Sequence, residues 1–196
     1  MKRGKLIVLY GINNLGKSTQ AKLLVEKLNK EGKQARYIKY PIYDLEPSGP
    51  LINAYLRGDN PDELSAREAQ LLYAYNRMHF EPKLTQILNS GTNIVAEDYW
   101  GTGVAWGIGV GVDMDFLIKI NKPFAWEDLA LLFMGKRFDA GKEEGHLHEQ
   151  DNELMEKVRK AHADLGKEYG WIKIEANKKV EEVAESILKQ VIKVIE

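Results

Sequence analysis

Residues 11–18 of this chain form the segment that most restricts how it can fold. Their sequence is Gly-Ile-Asn-Asn-Leu-Gly-Lys-Ser, which matches G-x-x-x-x-G-K-[ST] at every required position. An apolar run at 5–10 precedes the segment, and leucines at helical spacing follow it in 18–29. A glycine-rich turn between a strand and a helix lets several backbone N–H groups point at one anion, beside the positive helix N-terminus. The pattern therefore predicts a phosphate-binding loop.

In this loop we expect Lys17 to contact the β- and γ-phosphates of ATP, and Ser18 to give an oxygen ligand to Mg²⁺. Two other interpretations fit less well. A Gly-Asn turn with a surface lysine does not require the flanking strand and helix, and a dinucleotide site requires G-x-G-x-x-G, which the first turn lacks. The predicted ATP-binding residues are Gly11, Asn14, Gly16, Lys17, Ser18 and Thr19.

The composition restricts the kind of partner. The chain has 28 basic and 29 acidic residues and a net charge of −1, so it has no overall positive field that would attract nucleic acid or an acidic membrane. Cysteine is absent from the sequence, which excludes disulfides, thiolate zinc sites and cysteine nucleophiles. The apolar run at 5–10 is too short to cross a membrane. We expect a cytoplasmic protein with neither a nucleic-acid nor a membrane partner.

Apolar β-rich runs alternate with helical patterns along the whole chain, which is typical of βαβ units around a parallel sheet. The pattern predicts one domain over 1–196 with a three-layer P-loop NTPase fold, in which helices cover both faces of a mainly five-stranded parallel sheet. The glycine-rich stretch Gly101–Gly111 is expected to be a flexible active-site loop, and Pro82 to kink or divide a helical segment. Predicted strands lie at 5–10, 34–40, 92–96, 129–134 and 171–176, and predicted helices at 18–29, 50–57, 65–88, around 116, 152–167 and 180–195.

Two acidic residues, Glu97 and Asp98, follow the third predicted strand. A phosphate-binding loop needs a carboxylate on a neighbouring strand to hold the metal or its water, and strand ends open onto the ligand crevice of such a sheet. We therefore expect Glu97 to act with Ser18 at a magnesium site. Since side chains alternate along a strand, one acid should face the loop and the other should turn away. The alternative is a pair of solvated acids.

At this point the sequence resembles the thymidylate kinase family over nearly its whole length. Besides the P-loop, five segments carry the resemblance: Tyr40-Pro41 with the following Gly49 and Leu51, Leu71–Arg77 (LLYAYNR), Glu97-Asp98-Tyr99, Thr102–Trp106 (TGVAW) and Leu154–Leu165 (LMEKVRKAHADL). The resemblance implies an ATP- and Mg²⁺-dependent nucleoside monophosphate kinase that converts dTMP to dTDP and forms a homodimer.

Carried over to this chain, the family's roles place the acceptor base on Tyr73 and its phosphate at Arg77. Without the family, Tyr73 could equally pack in the core, and Arg77 could form a surface ion pair. Catalytic roles are expected for Lys17, Glu97 and Arg137. The implied substrate-binding residues are Asn13, Tyr40, Tyr73, Arg77, Tyr99 and Asp98.

This chain departs from the family at two of these positions. Asn13 replaces an aspartate that contacts the acceptor sugar, and Asp98 replaces an arginine that binds phosphate. Either another cation compensates, or Asp98 points elsewhere, or the acceptor differs. A kinase for another nucleotide or a nucleoside, and a regulatory nucleotide-binding protein without catalysis, therefore stay open.

Residues 135–151 are predicted to form a charged lid over the phosphates. Arg137 is the expected catalytic cation of this lid, which also contains Lys136, Lys142, His146 and His148. A solvated charged loop is the alternative. A metal site at the two histidines is disfavoured because spacing indicates no further ligands.

Overall fold

A five-stranded parallel sheet forms the centre of the computed structural model, which describes residues 2–57, 60–138 and 151–195. Its order is β2-β3-β1-β4-β5. The prediction of a five-stranded parallel sheet is confirmed. The strands are β1 (Leu6–Tyr10), β2 (Ala35–Lys39), β3 (Asn93–Glu97), β4 (Leu129–Met134) and β5 (Ile172–Glu175).

The two central strands are buried along their whole length, as their continuous apolar sequences predict. Strand β1 pairs with β3 from Leu6 opposite Ile94 to Leu9 opposite Glu97. This register brings the carboxyl end of β3 beside the loop that follows β1. The acidic residues and the P-loop therefore meet at one edge of the sheet.

The helices form two layers around this sheet. Helices α1 and α7 pack on each other and on the sheet. Helices α3 and α6 also contact the sheet, and α4 packs against both of them. The helices are α1 (Lys17–Lys30), α2 (Ser48–Arg57), α3 (Ala66–Asn89), α4 (Trp100–Gly109), α5 (Met114–Asn121), α6 (Asn152–Glu168) and α7 (Val180–Ile195). In the described part of the chain, no helix combines the length and apolarity needed to cross a bilayer.

The expectation of a flexible loop at Gly101–Gly111 is wrong, because helix α4 occupies Trp100–Gly109. Its glycines allow close helix packing. A Cβ at Gly101 would lie 2.4 Å from the Trp171 ring, and one at Gly107 would lie 2.6 Å from Leu117. Glycine costs helix propensity, but here the missing side chains leave room for neighbouring large ones.

Helix α3 runs unbroken through Pro82, so the proline does not divide it into two helices. A capping box starts the helix: Glu68 N donates to Ser65 Oγ at 3.3 Å, and Ser65 N donates to Glu68 Oε2 at 2.8 Å. Pro82 lies on the exposed side, where water can satisfy the carbonyl that loses its donor. The 24-residue helix thus continues without interruption and packs on β3.

A buried histidine lies beneath the P-loop. His162, on α6, is 1% exposed and lines a small cavity together with Gly11 and Ile12. Its Nδ1 donates to Val158 O at 3.0 Å, so Nε2 is the unprotonated nitrogen, and Nε2 has no partner among the described residues. Burial, with a smaller contribution from Lys17, lowers its pKa to about 3. The ring is therefore neutral in the folded protein.

This burial predicts an acid-dependent loss of stability. Below the unfolded-state pKa of about 6.5, the unfolded chain binds a proton at this position and the folded chain does not, so stability falls as pH falls from about 6.5 towards 3. Between pH 7 and pH 5, the wild type should lose about 2 kcal/mol more unfolding free energy than His162→Leu. Urea unfolding at pH 7, 6 and 5 measures the difference. His79→Gln, at an exposed histidine, should follow the wild type. Parallel profiles for the wild type and His162→Leu would contradict the prediction.

Candidate active site

A cavity of about 620 Å³ opens at the carboxyl ends of β1, β2 and β3, between the P-loop and helix α3. The position agrees with the ligand crevice of doubly wound sheets. Of the predicted site residues, Gly11 and Arg137 do not line the cavity. Those that do are Asn13, Asn14, Gly16, Lys17, Ser18, Thr19, Tyr40, Tyr73, Arg77, Glu97, Asp98 and Tyr99.

The P-loop has the wrapped backbone that its sequence predicts. Gly11, Asn14 and Gly16 have φ angles of 133°, 62° and 79°, in the region that favours glycine and asparagine. Lys17 is only 4% exposed, and its Nζ donates to the carbonyls of Gly11 at 2.7 Å and Ile12 at 2.9 Å. The alternative of a turn with a surface lysine is therefore wrong, because the ammonium group is held inside the loop.

Glu97 connects three elements around the P-loop. Its Oε1 accepts a hydrogen bond from Ser18 Oγ at 2.8 Å and lies 3.3 Å from Lys39 Nζ, while its Oε2 accepts one from the Tyr37 hydroxyl. Burial favours the neutral acid, but the Tyr37 hydrogen bond and the charges of Lys39 and Lys17 outweigh it, so the pKa of Glu97 is lowered. The side chain is an anion aimed at the start of α1.

Asp98 also faces the P-loop, which corrects the expectation that one of the two acids turns away. Its φ of 62° reverses the direction that strand alternation predicts. Its Oδ1 accepts a hydrogen bond from Thr102 Oγ1 at 2.9 Å and lies 3.6 Å from Lys17 Nζ. Burial, with repulsion from Glu97, raises the pKa of Asp98 despite the attraction of Lys17. Glu97 is 4% exposed, so the alternative of two solvated acids is also wrong.

Arg77 is a buried cation on the α3 wall of the cavity. It is 4% exposed, and its Nε and Nη2 have no hydrogen-bond partner among the described residues. Burial lowers the pKa of Arg77 to about 10, which leaves the guanidinium protonated at neutral pH. The alternative of a surface ion pair is wrong. A buried guanidinium without a partner is unfavourable, so this site is complementary to an anionic ligand.

Tyr73 lies one helical turn before Arg77 and combines both of its expected roles. Its ring packs against a small apolar cluster that includes Ile52 and Leu56, and it meets Tyr55 edge-on at 6.4 Å. Tyr73 also lines the cavity. Burial raises its pKa well above the ordinary value, so the phenol stays protonated. One face of the ring is therefore anchored while the cavity side can meet a ligand.

Tyr40 and Tyr99 form the buried floor between β2 and β3. Their ring centroids lie 5.1 Å apart, and each is 3% exposed or less. The Tyr99 hydroxyl donates to Glu81 Oε2 at 3.3 Å, whereas the Tyr40 hydroxyl has no partner among the described residues.

Two positioning residues are not among those that the sequence predicts for the site. Asn76, next to Arg77, accepts a hydrogen bond from Ile42 N at 2.9 Å and donates to Ile42 O and Ser48 Oγ at 2.9 Å each. It fastens the segment after β2 to α3. Lys39 ends β2 and lines the cavity beside Glu97. The motif containing Asn76 could indicate its role, but a lone strand-end lysine carries no such signal.

The predicted lid falls largely on residues 139–150, outside the described part of the chain, and so do Lys142, His146 and His148. The segment that leads into it begins beside the P-loop, because Phe138 N donates to Asn14 O at 2.8 Å. Arg137 is half-buried at this junction. Within the described residues, no group of three or more histidine, aspartate or glutamate side chains could hold a metal ion.

Comparisons with known proteins agree with this geometry. The family model for thymidylate kinase matches residues 9–187. Thymidylate kinases from Dictyostelium discoideum and Homo sapiens are each 29% identical over 95% of this chain, covering 84% and 89% of their own lengths. The solved structure of thymidylate kinase from Candida albicans superposes with a TM-score of 0.82 at 25% identity, over 99% of this chain and 94% of that one. The match of the family model to residues 9–187, nearly the whole chain, shows that this protein belongs to the thymidylate kinase family.

Proposed function

We propose that this protein transfers the γ-phosphoryl group of ATP to dTMP, giving ADP and dTDP. Membership of the thymidylate kinase family supports the reaction. The observation that carries the proposal is the buried Arg77, which lines the same cavity as the P-loop and whose Nε and Nη2 have no hydrogen-bond partner among the described residues. A cavity with a cation at each side suits two phosphate groups, one from the donor and one from the acceptor.

In the proposed mechanism, an oxygen of the acceptor phosphate attacks the γ-phosphorus while the bond to the β-phosphate oxygen breaks and ADP leaves. Phosphoryl transfer of this kind relies on positioning and charge neutralisation. Lys17 would move from the loop carbonyls to the β- and γ-phosphates. Arg77 would hold the acceptor phosphate, and Tyr73 would stack on the base. Asn13, Tyr40 and Tyr99 would shape the space around the sugar and phosphate.

The donor set fits magnesium. Ser18 Oγ and Glu97 Oε1 lie 2.8 Å apart at the start of α1, and oxygen atoms with one anionic carboxylate are the ligands that Mg²⁺ prefers. These two residues would hold the ion or its water, and Lys39 and Tyr37 keep Glu97 ionised for that purpose. When bound, Mg²⁺ supplies charge neutralisation at the phosphates.

Arg137 is the proposed lid cation. The bond from Phe138 N to Asn14 O holds the adjacent residue against the P-loop. A guanidinium at this junction would neutralise charge on the transferring phosphoryl group.

The alternative acceptors are not favoured, and neither is a regulatory protein without catalysis. A regulatory nucleotide-binding protein has no use for a second, buried cation opposite the P-loop. The report on the Candida albicans enzyme describes broad substrate specificity for that protein, so an assay of this chain should include several monophosphates.

A cytoplasmic location is part of the proposal, supported by the absence of cysteine from the sequence, and the near-neutral charge disfavours a nucleic-acid partner.

The proposed reaction predicts dTDP formation by the purified protein with ATP and Mg²⁺, measured by mass spectrometry against a panel of monophosphates. Lys17→Ala should abolish transfer and keep the melting temperature, since Lys17 contacts loop carbonyls and not the apolar core. Arg77→Ala should raise KM for dTMP by about 10- to 150-fold, the loss expected for charged hydrogen bonds worth about 1.5–3 kcal/mol. KM for ATP should stay close to that of the wild type.

Two outcomes would contradict this assignment. Turnover of Lys17→Ala near that of the wild type would remove the P-loop from the mechanism. A defect of Arg77→Ala confined to ATP would place Arg77 on the donor side of the cavity.

Asp98 gives a second prediction, because it is the clearest departure from the family. Its carboxylate lies beside Lys17, so we expect a functional acid that orients the lysine and supports the metal site. Asp98→Asn should lower kcat by about tenfold, as expected from losing an ion pair worth roughly 1.4 kcal/mol, and weaken the dependence on Mg²⁺. Asp98→Arg should be worse, since it would put two cations side by side. Thr102→Val, which removes the hydrogen bond and keeps the charge, is the control. Tighter dTMP binding and faster turnover in Asp98→Arg would show that Asp98 impairs the reaction and has no functional role in it.

A homodimer is also part of the proposal. Leu71, Tyr75 and Met78 are 46%, 38% and 55% exposed and follow one face of α3. We predict that sedimentation equilibrium gives twice the chain mass of 22.3 kDa, and that Leu71→Glu with Met78→Lys gives a monomer. Met114→Glu, at an exposed site on α5, should stay dimeric. A wild type that is monomeric at high micromolar concentration would exclude the dimer.

A further inference from the structure

The β5–α7 loop, residues 176–179, contains a side chain that continues the pairing of β4 with β5. Asn177 Oδ1 accepts a hydrogen bond from Lys136 N at 2.6 Å, and Asn177 Nδ2 donates to Lys136 O at 2.8 Å. The strand register places Met134 opposite Glu175, so Lys136 falls opposite Asn177 two residues further along. A carboxamide carries an acceptor and a donor side by side, which lets it take the place of a paired backbone. The pair therefore clamps the chain after β4 to the loop after β5.

The clamp depends on a close approach at Gly135. The φ angle of Gly135 is 156°, and a Cβ there would lie 2.3 Å from Asn177 Oδ1, so a larger residue would displace the carboxamide. Arg159 Nη1 also donates to Gly135 O at 3.1 Å. Phe138 N donates to Asn14 O at 2.8 Å. Residues 135–138 are thus attached to α6 and to the P-loop, and Asn177 attaches them to the β5–α7 loop.

Both sides of the clamp form part of the cavity wall. Ala176 and Lys178, the neighbours of Asn177 in the chain, line the cavity, and so does Phe138. Phe138 is 40% exposed, and its ring lies beside the P-loop, 3.6 Å from the position of a Cβ at Gly16. These residues border a space beside the P-loop, which we call the β4–β5 slot.

The β4–β5 slot and Arg77 lie on opposite sides of the P-loop. Strand β1 leads into the P-loop from the centre of the sheet, with β3 on one side and β4 followed by β5 on the other. Helix α3, which carries Arg77, packs on β3. In contrast, Phe138 follows β4 and Lys178 follows β5. Ligand groups held at the P-loop can therefore extend towards Arg77 on one side and into the slot on the other.

We propose that Asn177 is a positioning residue for the ATP side of the active site. By holding Lys136, it keeps Phe138 at a fixed distance from Lys178. The inference rests on the proposed function, which assigns the P-loop to ATP and Arg77 to the acceptor phosphate. With the acceptor on the β3 side, the nucleoside of ATP leaves the P-loop through the β4–β5 slot. An aromatic ring and the hydrocarbon stem of a lysine are suitable walls for a flat base.

The effect of the clamp on binding is modest and confined to the slot. The two hydrogen bonds of Asn177 are exposed, so water replaces them when the side chain is removed. The bonds that attach residues 135–138 to α6 and to the P-loop remain. What is lost is pre-organisation, because the walls of the slot must then be ordered at the moment of binding. Asn177 therefore affects how tightly the nucleoside is bound and leaves the chemical step unchanged.

Calorimetric titration of the full chain in the presence of Mg²⁺ tests the inference without turnover. Asn177→Ala should bind adenylyl imidodiphosphate, a non-hydrolysable ATP analogue, with a Kd about fivefold higher than the wild type, the order expected for one ordinary hydrogen bond. Inorganic tripolyphosphate, which has no nucleoside, should bind both proteins with the same Kd. Asn89→Ala makes the same exchange at the exposed end of α3 and should match the wild type with both ligands.

Initial rates give a second readout, which a general structural defect would not produce. In Asn177→Ala, KM for ATP should rise by the same factor as the Kd of the analogue. KM for dTMP, and kcat at saturating ATP, should stay at their wild-type values. The melting temperature should change little, since the side chain of Asn177 is exposed.

Each failure is distinguishable. An unchanged Kd for the analogue in Asn177→Ala would show that the clamp does not position the slot, and the proposed reaction would stand. A parallel loss of tripolyphosphate binding would place the effect at the P-loop, and a parallel rise in KM for dTMP would assign Asn177 a general structural role. Either result overturns the inference. If the wild type binds the analogue and forms no dTDP, the proposed reaction fails, while the Kd values still decide the role of Asn177. A wild type that does not bind the analogue would overturn both.

Discussion

The parallel pairing of β1 with β3 determines the rest of the site. In this register Leu9 is opposite Glu97, so the chain leaves β1 as the P-loop at the level where β3 ends in two acids. Both strands are fully buried. A slip by one residue would move each of their side chains to the opposite face of the sheet, where it would pack against the other helix layer. The hydrogen bond from Ser18 to Glu97 and the ion pair of Lys17 with Asp98 both follow from this register.

The sequence predicts correctly those parts of the molecule whose structure depends on a short motif or on a continuous apolar run. The P-loop, the five strands and the placement of Glu97 at a strand end all follow from short motifs and apolar runs. The predictions are wrong at positions whose structure depends on residues distant in the sequence or on an unusual backbone conformation. Gly101 and Gly107 look like breaks in the sequence, yet Trp171 and Leu117 supply the packing that makes their helix stable. The expectation that one of the two acids turns away is wrong because strand alternation assumes an extended backbone, and Asp98 departs from it with a φ of 62°.

The side chains on α3 show a different limit. Their motif predicts that Tyr73 and Arg77 matter, but burial and missing partners are properties of the folded protein. Nothing in the sequence distinguishes a solvated arginine from one that is 4% exposed and whose Nε and Nη2 lack hydrogen-bond partners among the described residues. The same holds for Asn76, whose three hydrogen bonds to the Ile42 backbone and Ser48 depend on a segment 28 to 34 residues away.

Charge balance explains how the site accommodates Asp98 where the family has an arginine. In the free protein Asp98 does not stand alone, because Lys17 lies 3.6 Å away and Glu97 is paired with Lys39 at 3.3 Å. Each acid thus has its own lysine, and Arg77, whose Nε and Nη2 have no hydrogen-bond partner in the described part of the chain, is not drawn into pairing with them. Lys39 is half-exposed, so it can leave Glu97 for a phosphate at low cost, while the buried Lys17 is already held in the loop. Of the three explanations open from the sequence, a compensating cation is the one with a candidate in the structure, because Lys39 lies 3.3 Å from Glu97 and lines the cavity.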